Sequence, residues 1–134
     1  MKIFFAGSMH GGRGDVDIYK ALIERLKKKY DLLSDHVGFA YYEDGLDDKG
    51  IFEKDTRLIG QADVLIAEVS VPSSGTGYEI AFAVEKGKKV VCLYRNGSGA
   101  LLSPMIGGNP NVTIVRYSTS EEALSGIDNA LGRS

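Results

Sequence analysis

Apolar residues along this chain follow two alternating patterns: short unbroken runs, and longer segments in which they recur three or four positions apart. Lys2 to Ala6, rich in Ile and Phe, reads as a strand. Tyr19, Leu22, Ile23, Leu26 and Tyr30 then repeat at helical spacing, which predicts a helix from about Asp15 to Lys29. Leu32 to Val37 is a second strand, and Ile51 to Gln61 a second helix with Ile51, Phe52, Leu58, Ile59 and Ala62 on one face. Val64 to Ala67 is a continuous apolar run of the kind that a parallel strand covered on both faces carries. A helix from Tyr78 to Lys86, a strand from Lys89 to Tyr94, a strand from Val112 to Arg116 and a helix opened by Ser118 and Thr119 complete the pattern. Strands alternating with helices in this way imply an α/β fold: a single doubly wound, five-stranded parallel sheet, Rossmann-like or flavodoxin-like. Helices would cover both faces and the strand order would be 2-1-3-4-5.

Two segments fall outside that rhythm. Gly38 to Gly50 is polar and acidic, with Phe39, Tyr41 and Tyr42, and is long for a loop between strand and helix, which makes it a candidate lid. Its aromatic residues could stack on a base or could pin the loop to its own domain. Asn96 to Pro110 is a second such segment, rich in Gly, Ser and Pro, and contains Ser103.

Composition narrows the function classes. A chain of 134 residues, 43% hydrophobic, suits one domain, residues 1–134, with a real core. Sixteen basic residues against 18 acidic ones give a net charge of −2, without the basic excess that a nucleic-acid polymer requires of its partner. The lone cysteine, Cys92, lies in an apolar run, so no intrachain disulfide is expected and a buried thiol fits a cytoplasmic location. Neither a signal peptide nor a membrane span is expected at the N-terminus. Two histidines and one cysteine provide no metal-ligand spacing, so neither metal nor cofactor is expected.

The candidate chemistry lies where two loops leave the sheet at its carboxyl edge, where open α/β sheets bind ligands. The first, Gly7-Ser-Met-His-Gly-Gly-Arg-Gly14, offers backbone donors, the Ser8 hydroxyl and the Arg13 charge ahead of a helix. A phosphate is its natural guest, although the stretch matches neither the P-loop nor the G-x-G-x-x-G pattern and could be a plain turn. His10 either touches that phosphate or faces water. The second loop, Pro72-Ser-Ser-Gly-Thr-Gly-Tyr-Glu79, places Glu79 in the first turn of the next helix, where the helix dipole favours an ionised carboxylate. Such a group is a candidate nucleophile. Thr76 to Glu79 also reads as a capping box, in which Glu79 only reaches back to Thr76. The small residues Ser73, Gly75 and Gly77 exceed what a cap needs and would let a ligand approach the backbone. Asp55 lies on the apolar face of its helix, where a carboxylate must be paired, hydrogen-bonded or functional. His36, near the end of the second strand, either overlooks the crevice or is structural.

Phe5-Ala-Gly-Ser8, Gly11-Gly-Arg13, Ser34-Asp-His-Val37, Asp55, Gln61-Ala-Asp-Val64, Ala67-Glu-Val69, Pro72-Ser73, Gly75-Thr-Gly-Tyr-Glu79 and Leu102-Ser-Pro-Met-Ile106 together resemble the 2'-deoxynucleoside 5'-phosphate N-hydrolases of the nucleoside 2-deoxyribosyltransferase superfamily. The resemblance implies hydrolysis of a small-molecule deoxynucleotide, with Glu79 attacking the anomeric carbon and Asp55 orienting the sugar and assisting departure of the base. It further implies that Gly7, Ser8, His10, Gly11, Gly12, Arg13, Ser73, Gly75, Gly77 and a Ser103 from a second subunit surround sugar and 5'-phosphate. His36 would lie against the base, and the enzyme would be a homodimer with a shared site. Two positions depart from the family: Phe4 stands where it has tyrosine and His10 where it has arginine, so strictness for the 5'-phosphate stays open. Base exchange by a deoxyribosyltransferase and nucleotide sensing without catalysis are the alternatives. Ser74-Gly-Thr-Gly-Tyr-Glu79 also echoes the cytokinin-activating phosphoribohydrolases, but without their double glycine.

Overall fold

Alternate residues of the central strands are buried in two different apolar layers, and this two-sided burial explains the unbroken hydrophobic runs. The computed structural model describes residues 1–7, 13–34 and 45–132. The strands are Lys2–Gly7 (β1), Asp31–Ser34 (β2), Val64–Glu68 (β3), Lys89–Arg95 (β4) and Val112–Tyr117 (β5). The helices are Arg13–Lys27 (α1), Asp48–Gln61 (α2), Ser74–Glu85 (α3), Pro104–Gly107 (α4) and Ser120–Ala130 (α5). All strand pairs are parallel and the sheet runs β2-β1-β3-β4-β5, the order expected from the sequence.

On one face, Ile3 and Phe5 of β1, Ile66 of β3 and Leu93 of β4 pack with Leu22 and Leu26 of α1 and Ile127 of α5. On the other, Phe4, Leu65 and Cys92 pack with Ile59 of α2 and Ile80 and Ala83 of α3. Phe4 is thus a core residue on the α2 and α3 side. Cys92 is fully buried, and desolvation followed by the charge of Glu68 pushes its thiol up to about 12, so it stays protonated in this core.

Several boundaries differ from those read in the sequence, for local reasons. The expected second strand, Leu32 to Val37, is seen as Asp31–Ser34, and residues 35–44 lie outside the described part. Helix α2 starts three residues before Ile51 because the Asp47 side chain accepts from Gly50 N at 2.8 Å and caps it, taking the end of the supposed loop into the helix. Helix α3 starts at Ser74 rather than Tyr78. The single turn α4 was not foreseen: Ser103 caps it and Pro104 occupies its first position. Its C-cap must be glycine, since a Cβ on Gly108 would lie 2.7 Å from Pro104 O.

Candidate active site

The switch point of the sheet lies between β1 and β3, where Gly7 pairs in register with Glu68. The two loops that follow therefore leave the carboxyl edge side by side. From β3 the chain turns at Val69 to Ser73 and enters α3, with the Ser73 hydroxyl accepting from Thr76 N at 3.2 Å. This cap replaces the expected box at Thr76. Glu79 consequently falls in the second turn of α3, beyond the first turn in which the dipole is felt, and not in the helix-start position read from the sequence.

Glu79 faces α2 instead, and there it meets Asp55. Both are 8% exposed, and their carboxyl groups are close enough for each to act on the ionisation of the other. Burial, then the Asp55 charge, then the hydrogen bond that protonated Glu79 donates to Asp55 push Glu79 up to about 8. The expectation that Glu79 is held ionised by its helix is thereby corrected: two buried carboxyls side by side cannot both ionise cheaply, which favours the protonated form of Glu79. The pair opens on a cleft of about 530 Å³ bounded by Ile51 and Phe52 of α2 and Ser74, Gly75 and Tyr78 of α3. Phe52 and Tyr78 meet edge to face, 6.0 Å between ring centroids, and form an aromatic wall beside the two carboxyls.

A second groove, of about 510 Å³, lies on the other side of the α3 N-terminus and brings Ser73 together with Ser103. Gly77 faces this groove, and a Cβ there would meet no atom within 4 Å. Neither Gly75 nor Gly77 has a positive φ. The small residues around Glu79 are therefore demanded neither by backbone conformation nor by close packing within the chain.

Residues 3–122 match the nucleoside 2-deoxyribosyltransferase family. The chain belongs to that family. Among relatives of this nucleoside 2-deoxyribosyltransferase-family protein, a 5-hydroxymethyl-dUMP N-hydrolase of Danio rerio is 42% identical over 112 residues, covering 81% of this chain and 78% of its own. A protein of the same name from Esox lucius is 39% identical over 136 aligned positions, covering 95% and 92%. A solved structure of a CMP N-glycosidase of Clostridium botulinum has a TM-score of 0.70 over 96% of this chain and 98% of its own, at 24% identity, a likeness of fold.

Of the residues singled out in this family member's sequence, Asp55, Glu79 and Gly75 share the first groove, and Ser73, Gly77 and Ser103 the second. Gly7 ends β1 at the switch point. Arg13 begins α1, and only its backbone is described. Ser8, His10, Gly11, Gly12 and His36 lie outside the described residues. The Ser103 hydroxyl accepts from Met105 N at 3.2 Å, which leaves its own proton available to a ligand. Among the described residues no group of three His, Cys, Asp or Glu is placed to hold a metal ion, and no helix is long and apolar enough to cross a membrane.

Three polar residues at this edge escaped the sequence reading. Glu68, 1% exposed, accepts from Ser70 N at 2.6 Å and Ser70 Oγ at 3.0 Å, and also from Tyr117 OH. The available signal was a carboxylate closing an otherwise apolar strand.

Proposed function

We propose that this protein is an N-glycosidase that hydrolyses 2'-deoxynucleoside 5'-monophosphates to free nucleobase and deoxyribose 5-phosphate. The observation that carries the reading is the buried pair Asp55–Glu79 beside an open cleft, in a chain of this family. The names of the related N-hydrolases support the same substrate class.

A proton shared by the two carboxyls defines the division of labour. In the bound complex Asp55 holds it and Glu79 is the carboxylate. Glu79 attacks C1' as the C–N bond breaks, the bonding electrons pass to the base, and Asp55 delivers the proton to it. Water then adds to C1' of the glycosyl ester, Asp55 takes its proton, and Glu79 leaves as a carboxylate, so that one proton again resides on the pair. The Phe52 and Tyr78 wall shields this exchange on one side. The 5'-phosphate would be held by the loop after Gly7, comprising Ser8, His10, Gly11, Gly12 and Arg13, and by Ser73, Gly75 and Gly77 at the α3 N-terminus. His36 would meet the base.

Ser103 enters the same reading from a second subunit of a homodimer. Its neighbours Leu101 and Met105 are 93% and 84% exposed, an apolar surface that a second copy would cover. A single cytoplasmic domain acting on a small nucleotide, without metal, cofactor, membrane or nucleic-acid polymer, completes the proposal.

The test is base release from deoxynucleoside and ribonucleoside monophosphates and the matching nucleosides, with wild type and Glu79→Ala. Release from deoxynucleotides, lost in the variant, is the expected result, with an alkaline limb in kcat/KM near the Glu79 value of about 8 as the pair loses its proton. Release by Glu79→Ala at the wild-type rate would overturn the nucleophile. The family description favours one second reading, interception of the glycosyl ester by another base; added acceptor base would then yield a new deoxynucleotide.

A further inference from the structure

At the C-terminal end of β3, immediately before the loop that enters α3, a carboxylate is buried where no charge was expected. Glu68 Oε1 accepts from Ser70 N, and Oε2 accepts from both Ser70 Oγ and Tyr117 OH. The Ser70 hydroxyl in turn accepts from Arg95 N at 2.7 Å, and Val69 N donates to Leu93 O at 2.9 Å. The first residues after β3 are thus fastened at once to β4, through Leu93 and Arg95, and to β5, through Tyr117. Ser73, three residues beyond Ser70, caps α3 and lines the groove with Ser103. Gly7, where the other loop departs, pairs with Glu68 itself. The catalytic carboxyls are held differently: on α2 and α3 they depend on the apolar packing of Ile59, Ile80 and Ala83.

We propose that Glu68 is a positioning residue for substrate binding: with Ser70 and Tyr117 it clamps the β3–α3 loop so that Ser73 and the start of α3 meet the sugar-phosphate of the substrate. A buried carboxyl side chain is suited to this because it accepts at both oxygens with fixed geometry, and each donor is left unsatisfied if it moves away. Glutamine replaces it only in part. With its carbonyl oxygen toward Ser70 N–H, its NH2 must donate to the Ser70 and Tyr117 hydroxyls, whose own protons then lose Glu68 as acceptor and have to turn elsewhere. The substrate assignment rests on the N-hydrolase reading above, but the clamp is open to a test of its own.

Glu68→Gln and Tyr117→Phe would be compared with wild type in steady-state turnover of a deoxynucleotide and in titration with deoxyribose 5-phosphate, which is not consumed. In the folded Glu68→Gln protein KM and the deoxyribose 5-phosphate Kd should rise roughly tenfold, inside the ~10²-fold that a misplacement of about 1 Å can cost, while kcat stays within about threefold. Tyr117→Phe should move KM in the same direction by less, and the double variant should be no worse than Glu68→Gln alone. A merely structural role lowers the folded fraction and the melting temperature but leaves KM untouched. Unchanged KM and Kd in both folded variants overturn the clamp, and Tyr117→Phe carries that test if Glu68→Gln does not fold. Wild type that binds deoxyribose 5-phosphate yet releases no base sinks the hydrolase reading and leaves the clamp to be judged by the Kd shift. Wild type that does neither overturns both.

Discussion

At the scale of single residues, the Asp55–Glu79 pair sets activity against stability. Glu79 is raised from an ordinary value of 4.5 to about 8, so between those values the folded protein holds a proton that the unfolded chain releases. The stabilisation is complete below the unfolded value and is lost as pH rises through the folded one. Glu79→Gln removes this dependence while keeping a hydrogen bond to Asp55. Urea unfolding of the variant should therefore show no stability loss from pH 5 to pH 9 at this site. At pH 9 it should be more stable than wild type by on the order of 1–3 kcal/mol, although inactive. Equal pH dependence of the two urea midpoints would contradict the pairing. The sequence revealed Asp55 through its misfit with an apolar helical face. What it hid was the partner, because Glu79 followed a pattern that also fits a cap.

At the scale of elements, the start of α3 decides where Glu79 points. The cap is Ser73, so its replacement by alanine should lower stability by about 1 kcal/mol, within the roughly 0.5–2 typical of a lost cap. Ser74→Ala, at an exposed first helical position, should stay within about 0.5 kcal/mol of wild type in the same denaturation experiment. The reverse ranking would restore the cap to Thr76. Both Ser73 and Thr76 are good caps by residue type, and periodicity cannot separate them, because the first turn of α3 is Ser-Gly-Thr-Gly and carries no apolar stripe. The same limit explains α2, whose Asp47 cap lies outside the apolar pattern that located the helix.

At the scale of the whole molecule, the apolar surface at Leu101 and Met105 bears on the proposed second subunit. Sedimentation should find wild type as a dimer and Leu101→Asp as a monomer, with weakened nucleotide affinity if Ser103 reaches across. A fully active wild-type monomer would remove the second subunit's Ser103 from the site. Strand order, the two buried layers and the placement of the loop after Gly7 beside the loop that enters α3 were legible from sequence alone. Burial writes periods of 2 and 3.6 along the chain, and right-handed crossovers leave few ways to connect such elements. Tertiary structure alone decided that Asp55 and Glu79 are buried against each other, that Glu68 fastens a loop to two other strands, and that Ser73 and Ser103 line one groove. Each of these is a contact between residues distant along the chain. Such contacts depend on how helices seat on the sheet, which local periodicity does not encode.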